Sequence, residues 1–308
     1  VDEDDIPEKI FNQQHTQTAL KLARQGIVLL KNNDVLPLRR PKNSKNRILV
    51  TGPNANNQSI LGDWHSAQPD ENVYTVFEGI KKIGTEMGYL VDYHDSNENI
   101  KRISEKDIDK TIEAAREYDL VVLVIGDNSM RYKWNQKTAG ENTARAELNL
   151  AGKQLDLVMK LKETGKKIIV VYVNGRPVSE PWISENVNAI VEAWEPGSFG
   201  GIATAEIIFG KINPSGKLPL TIASSVGQLK MFYNHKHSMY FRDYTILNNK
   251  PLYSFGFGLS YTKFHISEPK VSSSKFKDGI ISVSVEIKNI GEMTGDEIVQ
   301  LYISDKYS

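Results

Sequence analysis

Two runs of apolar residues constrain the fold of this 308-residue chain most strongly. They occupy residues 120–125 and 168–173, they are rich in β-branched side chains, and each has the length of one strand. Segments with helical periodicity separate them from shorter apolar runs. Strands that are apolar throughout and alternate with helices indicate a mostly parallel sheet that is buried on both faces. We therefore predict an α/β fold, a three-layer α/β sandwich whose sheet has about six strands.

The same periodicity assigns the individual elements. Helices are predicted at residues 12–26, 73–88, 104–118, 151–164, 178–185 and 200–209. Strands are predicted at residues 27–30, 48–50, 89–93, 120–125, 168–173 and 189–193. Ser104 and Asp107 have the spacing of a capping box, which marks the start of the third helix.

The pattern changes after residue 217. LPLTIA at 218–223 is strand-like, residues 227–261 are loop-rich and aromatic, and IISVSVEIKN (280–289) and EIVQLYIS (297–304) alternate with the period of antiparallel strands. About three such strands are too few for an independent β-sandwich. We therefore divide the chain into a linker with a leading helix and strand (1–40), an α/β sandwich domain (41–222), an aromatic extension (223–264) and a truncated β-sandwich (265–308). The acidic start without an initiator Met leads us to expect a piece of a longer polypeptide.

Composition excludes several classes of function. Lys plus Arg and Asp plus Glu both number 38, so charge gives no reason to expect nucleic acid or an anionic membrane as a partner. The absence of cysteine excludes disulfides, thiol nucleophiles and thiolate metal sites. No apolar run approaches the roughly 18 to 20 residues of a membrane span. The runs at 210–217 and 255–258 depart from a phosphate-binding loop and a dinucleotide fingerprint, and no cofactor is predicted. His235 and His237 lack a nearby carboxylate cluster, which favours loop histidines over a metal pair.

A long polar loop follows the strand predicted at 120–125, and such loops usually carry the ligand chemistry of α/β proteins. Carbohydrate sites combine aromatic faces with carboxylates and arginines. The candidates of these types, on this loop and at one earlier position, are Arg131, Tyr132, Trp134, Glu141, Arg145 and Trp64. Alternatively, Glu141 and Arg145 form a solvated i, i+4 pair that contributes only a few tenths of a kcal/mol. Residue types alone favour this second interpretation.

An ordered series of motifs covers nearly the whole chain. It comprises ARQGIVLLKN (23–32) with LPL (36–38), GPNA (52–55), GDW (62–64), GE (140–141) with Arg145, Trp194 with PG (196–197), GG (200–201), FG (209–210), NPSGKLP (213–219), YN (233–234), FGFGLSYT (255–262), NIG (289–291) and GDEIVQLY (295–302). In this order the motifs resemble the C-terminal part of glycoside hydrolase family 3, especially its periplasmic or secreted bacterial β-glucosidases. The last two resemble the start of that family's fibronectin type III-like domain.

The resemblance implies a retaining mechanism with an Asp nucleophile on an N-terminal (β/α)8 barrel, which this sequence lacks. It implies a general acid/base Glu in a G-E-x-x-x-R type stretch, where Glu141 falls, with Arg145 matching the Arg. Trp64 falls where some members place an aromatic that clamps the leaving-group sugar. Arg131 and Trp134 are added as substrate-binding candidates of the same loop. Asp63 is not assigned as the nucleophile, because its flanking residues belong to the sandwich domain.

Two departures from the family pattern lie near these positions. Ala144 stands where relatives often have Ser or Asp before the Arg, and Ser198-Phe199 replaces a more polar pair. Neither removes the carboxylate of Glu141.

The expected function is therefore that of the C-terminal part of a retaining β-glucosidase acting on terminal non-reducing β-D-glucosyl residues. The expected partners are β-glucosides or oligosaccharides and the N-terminal barrel of the same protein, in the periplasm or outside the cell. Without that barrel the chain alone is expected to be inactive. Two alternatives remain: a non-catalytic carbohydrate-binding or structural fragment, and a family 3 enzyme with β-xylosidase or other glycone specificity.

Overall fold

The computed structural model describes residues 10–39, 46–229, 231–234, 243–272 and 280–304, and its centre is a six-stranded sheet. The strands are β1 (Val28–Asn32), β2 (Arg47–Thr51), β3 (Leu90–His94), β4 (Leu120–Gly126), β5 (Lys167–Val173) and β6 (Ala189–Trp194). Their order across the sheet is β1-β6-β5-β4-β2-β3. Strands β2 to β6 pair in parallel, and only the edge strand β1 runs antiparallel to its neighbour within this sheet. The prediction of a mostly parallel sheet with about six strands is confirmed.

The runs at 120–125 and 168–173 consist of apolar residues because the central strands that they form have no solvent-facing side. All seven residues of β4 are buried. Along this strand Val122 and Val124 pack into the core on one face of the sheet, while Leu123 and Ile125 pack into the core on the other. Successive side chains of a strand point to opposite faces, so a strand covered on both faces requires apolar residues at every position.

In the described part of the chain, six α-helices cover the two faces of the sheet. Helices α1 (Gln13–Gly26), α2 (Val76–Glu86) and α6 (Gly200–Ile208) pack on one face; α3 (Glu105–Ala115), α4 (Gln154–Glu163) and α5 (Pro181–Asn186) pack on the other. The predicted helices exist, with most ends shorter by up to a few residues, and α5 extends one residue beyond its predicted end. The capping box at the start of α3 is formed: Ser104 and Asp107 each bind the other's backbone N–H. Among the described residues, no helix is long and apolar enough to cross a membrane.

The chain beyond α6 forms less regular structure than its pattern predicts. LPLTIA contributes one bridge, between Ile222 and Tyr253, rather than a strand. Two short antiparallel pairs follow, β7 (Phe264–Ile266) with β10 (Ile287–Asn289) and β8 (Lys270–Val271) with β9 (Val283–Ser284).

The predicted strand at 297–304 is wrong. This segment forms no strand in the described structure and binds through side chains instead: Gln300 donates to the carbonyl of Gly256, and Glu297 pairs with Lys217. A period-two pattern becomes a strand only where another strand supplies hydrogen bonds, and among the described residues none pairs with this segment.

His235 and His237, the two loop histidines of the sequence section, lie outside the described residues.

Two glycines allow α2 and α6 to meet at backbone distance. A Cβ on Gly79 would lie 2.0 Å from the carbonyl oxygen of Gly201, and a Cβ on Gly201 would lie 2.0 Å from that of Thr75. Both neighbours are main-chain atoms, so no side-chain rotation relieves either contact. The close approach brings the loops before both helices to the same end of the sheet.

We expect Gly201→Ala to lower the free energy of unfolding by about 1 to 3 kcal/mol, because the methyl group forces α2 and α6 apart. Gly26→Ala is the matched control, since nothing lies within 4 Å of a Cβ at that position. Urea unfolding of the two variants measures the difference. Equal midpoints for both would contradict the proposed backbone contact.

Candidate active site

The candidate site lies at the carboxyl edge of the sheet, where the loops after β2, β4, β5 and β6 converge. These strands end at Thr51, Gly126, Val173 and Trp194. The carboxyl ends of parallel strands meet at one edge, which is where open α/β sheets usually bind ligands. The loop after β2 carries Asp63 and Trp64, and the loop after β4 carries Glu141.

A buried ion pair anchors the loop after β4 (residues 127–150). The Asp127 carboxylate lies 2.8 Å from Nε of Arg176 and also accepts a hydrogen bond from the Thr138 hydroxyl. The carbonyl of Asp127 accepts a hydrogen bond from the Asn54 side chain. Arg176 in turn donates to the carbonyl oxygens of Leu148 and Asn149, so one arginine holds both ends of the loop. A buried charge of this kind requires paired partners.

The first half of the loop closes on itself. The Asn128 N–H donates to the Thr138 hydroxyl at 2.9 Å, and the Thr138 N–H donates to the Asn128 carbonyl at 2.8 Å. Between them Met130 is fully buried, and two short 3-10 turns, joined at a kink at Lys133, span Arg131–Gln136. The segment predicted as an irregular polar loop therefore has its own apolar contact and helical turn.

Asp63 joins the loop after β2 to the residue predicted as the acid/base. Its Oδ2 accepts the backbone N–H of Glu141 at 2.5 Å, and its Oδ1 lies 2.9 Å from Nζ of Lys137. Lys137 also donates to the carbonyl of Glu141 at 3.0 Å, and its side chain is only 1% exposed. No sequence pattern indicated this role for Lys137, because a lysine in a polar loop is ordinarily solvated.

Arg131 contacts both Glu141 and Trp64, so three of the predicted site residues lie together. Its guanidinium forms an ion pair with the Glu141 carboxylate, and its Cζ lies 3.7 Å from the centre of the Trp64 ring. Its Nε is 3.4 Å from Asp63 Oδ1. The Glu141 side chain is 42% exposed and Trp64 is 76% exposed, so the carboxylate and the aromatic face are both open to solvent.

Arg145 and Trp134 have other neighbours. The Arg145 guanidinium donates to the Asn149 carbonyl at 2.6 Å and lies 3.9 Å from Asp127 Oδ1. The alternative of a Glu141–Arg145 pair is therefore wrong, because Glu141 pairs with Arg131 and Arg145 turns to the anchor of the loop. Trp134 is half exposed, with Nζ of Lys137 4.7 Å from its ring centre.

Two further carboxylates at this edge were not among the site residues predicted from the sequence. Glu195 is half-buried and accepts a hydrogen bond from the Ser129 hydroxyl at 2.7 Å. Burial raises the pKa of Glu195, the Ser129 bond opposes that shift, and the negative charges of Asp63 and Asp127 add to it. Glu192 is fully buried in β6, and burial raises its pKa to about 8. The signal for Glu192 was a charged residue inside an apolar strand. Among the described residues, no group of three metal-ligating side chains is present.

Glu192 is expected to make stability fall as the pH rises. The folded chain keeps this proton up to a pKa of about 8, whereas the unfolded carboxyl releases it near its ordinary value of 4.5, so folding becomes less favourable between those pH values. We expect Glu192→Gln to remove this contribution, a difference on the order of a few kcal/mol across the window. Urea unfolding at a series of pH values measures it. Glu163→Gln, on an exposed face of α4, is the control; identical pH slopes in parent and Glu192→Gln would refute the assignment.

Comparison with known proteins was made by sequence and by structure. The family model described as "Glycosyl hydrolase family 3 C-terminal domain" matches residues 27–261. A β-xylosidase of Formosa agariphila is 37% identical over 308 residues, which is 96% of this chain and 41% of that protein. A periplasmic β-glucosidase of Salmonella typhimurium is 34% identical over 322 residues, 94% of this chain and 41% of that protein.

Solved structures agree with these matches. A β-glucosidase of Listeria innocua, in a mutant form in complex with laminaribiose, superposes with a TM-score of 0.80 at 27% identity, covering 96% of this chain and 40% of that one. A β-glucosidase of Erythrobacter marinus superposes with a TM-score of 0.77 at 31% identity, covering 91% of this chain and 40% of that one. The chain thus spans about two fifths of the length of these relatives.

Proposed function

Because this chain belongs to glycosyl hydrolase family 3 and carries that family's C-terminal domain, we propose that it supplies the general acid/base of a retaining β-glycosidase. Glu141 is the proposed residue. The observation that carries this proposal is the juxtaposition of its solvent-open carboxylate with the exposed ring of Trp64, both in contact with Arg131 at the carboxyl edge of the sheet. A proton donor beside an aromatic platform is what cleavage of a glycosidic bond requires on the leaving-group side.

The proposed mechanism divides between two domains. In a retaining glycosidase the two carboxyl groups are about 5 to 5.5 Å apart; one attacks the anomeric carbon while the other protonates the departing oxygen. The resemblance to family 3 places the attacking Asp on a barrel domain, and Glu141 is the proposed donor. In the second step the resulting Glu141 carboxylate takes a proton from the water that releases the sugar.

The ion pair between Glu141 and Arg131 must break before the proposed proton transfer can occur. A neighbouring cation favours the ionised carboxylate, whereas the first step requires a protonated acid. Glu141 must therefore leave Arg131 before it donates its proton. A leaving-group sugar that stacks on the Trp64 face covered by Arg131 would displace the guanidinium, and in that position substrate binding itself would separate the pair.

The proposed substrates are β-D-glucosides or oligosaccharides with a terminal non-reducing glucosyl residue, and the proposed location is the periplasm or outside the cell. The name of the Salmonella relative, a periplasmic β-glucosidase, supports both parts of this proposal, and that of the Listeria relative, a β-glucosidase, supports the substrate. β-Xylosidase activity is the second candidate, since two of the similar Formosa proteins carry that name. Parallel assays with 4-nitrophenyl β-glucoside and β-xyloside separate the two. A non-catalytic carbohydrate-binding fragment is the third, and it requires binding without turnover when the barrel is present.

In the enzyme that contains this chain and its barrel, Glu141→Ala is expected to lower kcat/KM by roughly 10²- to 10⁴-fold for glucosides with poor leaving groups. For 2,4-dinitrophenyl glucoside the loss should be far smaller, because that group departs without a proton. Azide should restore turnover of the activated substrate by entering the space left by the carboxylate. Steady-state kinetics with both substrates measure these effects.

Two controls accompany this experiment. Glu147→Ala removes an exposed carboxylate of the same loop and should leave both substrates unaffected. The 308-residue chain without a barrel should not hydrolyse aryl β-glucosides at all. Equal losses on both substrates without azide rescue, or turnover by the isolated chain that Glu141→Gln abolishes, would refute the proposed division of the site.

Trp64→Ala is expected to raise KM for a disaccharide roughly 3- to 10-fold, because the leaving-group sugar loses an aromatic face. β-Glucosyl fluoride, whose leaving group has no ring, should keep its KM. Trp64→Phe retains an aromatic face and should lie close to the parent with both substrates. An unchanged disaccharide KM in Trp64→Ala would count against this platform.

A further inference from the structure

We infer that Asp63 and Lys137 are positioning residues that hold Glu141 in place for proton transfer and fix its distance from Trp64. The inference rests on the proposed function of Glu141. Neither residue is assigned contact with the reacting atoms; both act through the peptide groups of Glu141.

The two side chains hold Glu141 at two points. The Asp63 carboxylate accepts the N–H of Glu141, and the Lys137 ammonium donates to the C=O of the same residue. Asp63 and Lys137 are themselves paired at 2.9 Å, which closes a ring of contacts around one residue. With both of its main-chain polar groups bound to charged partners, Glu141 has little freedom to rotate its backbone.

The backbone on either side of Glu141 has a conformation that makes room for the Asp63 carboxylate. Gly140 has a φ of +94°, and a Cβ there would lie 2.6 Å from Asp63 Oδ2. Any other residue would be strained and would push Asp63 away from the Glu141 N–H. Asn142, on the other side of Glu141, has a φ of 57°, in the left-handed region that Asn tolerates better than most residues. Glu141 therefore lies at a sharp turn with Asp63 seated inside it.

The charged groups of Asp63 and Lys137 need each other as partners, because water hardly reaches either of them. The side chain of Lys137 is 1% exposed and that of Asp63 is 12% exposed, so water replaces little of either contact if the other is removed. An unpaired buried ammonium is strongly unfavourable, and the loop would shift to solvate it. Because Lys137 binds the Glu141 carbonyl directly, any such shift would displace the proposed acid.

The same pair links the acid to the sugar platform. Asp63 and Trp64 are adjacent in the chain, so the residue that holds Glu141 is bonded to the residue that would stack the leaving-group sugar. Arg131 also contacts Asp63, Trp64 and Glu141, but the link through the Asp63–Trp64 peptide persists when the Glu141 carboxylate leaves Arg131. The distance between the proton donor and the leaving group is thus set by one short unit rather than by two independent loops.

The test is Asp63→Asn in the barrel-containing enzyme. Its kcat/KM should fall roughly 10- to 100-fold for cellobiose and less than about 3-fold for 2,4-dinitrophenyl β-glucoside, since a displaced acid hinders only the substrate that needs a proton. Asp119→Asn is the matched control. Asp119 is also half-buried and also accepts a backbone N–H from a distant part of the chain, from Arg47 at 3.0 Å, but at the opposite edge of the sheet.

The double variant Asp63→Asn/Lys137→Met separates positioning from stability. It buries no unpaired charge, so its urea midpoint should recover toward that of the parent. The cellobiose-specific loss should persist, because the Lys137→Met change removes the donor to the Glu141 carbonyl. This variant also carries the test if Asp63→Asn alone does not fold.

The outcomes distinguish this inference from the proposed function. If Glu141→Ala shows the leaving-group effect while Asp63→Asn loses activity equally on both substrates, the positioning role is wrong and the acid assignment stands. The positioning role is also wrong if cellobiose turnover recovers together with stability in the double variant. If Glu141→Ala shows no leaving-group effect, the proposed acid itself is wrong.

Discussion

Burial of the sheet on both faces is the constraint on which the rest of this structure depends. Two layers of helices bury every residue of β4 and every residue of β5 except Lys167 at its start, which leaves no room for polar chemistry along the strands. Polar groups are therefore concentrated where the strands end and the loops begin. Glu192 marks the limit of this rule: it lies inside β6, and burial raises its pKa to about 8. A carboxyl in that position is stable in the core mainly as the neutral acid.

The charges at the carboxyl edge form a sequence of partnerships from the core to the surface. The deepest is Asp127 with Arg176, which fixes both ends of the loop after β4. Asp63 with Lys137 follows, and it fixes the backbone of Glu141. The outermost is Glu141 with Arg131, open to solvent and lying over Trp64. Because the inner pairs are desolvated, breaking them is strongly unfavourable. The outer pair is exposed and contributes little free energy, so a ligand can replace one of its partners. A rigid backbone beneath an exchangeable side chain suits a residue that must donate and then accept a proton.

This gradient supports the proposal that the site is one half of an active site. The carboxylate, the aromatic ring and the arginine lie at the outer end of the gradient, and we propose that the nucleophile belongs to another domain. The chain spans about two fifths of its relatives, and its open carboxyl edge is the surface on which we propose that the barrel packs. Closing that surface would exclude water and strengthen each electrostatic interaction within it.

The sequence by itself determined the layered sheet, because the apolar runs at 120–125 and 168–173 and the capping box of Ser104 are local patterns that any compatible fold must satisfy. It also determined the family, through motifs in a fixed order. Tertiary structure alone decided the partners. Asp63 reaches Glu141 across 78 positions of chain, Lys137 is buried despite its polar surroundings in sequence, and Arg131 rather than Arg145 pairs with Glu141. Within the described residues, it likewise left 297–304 without a strand partner. Periodicity records whether a residue faces core or solvent, whereas the choice of partner depends on which loops the sheet brings to one edge.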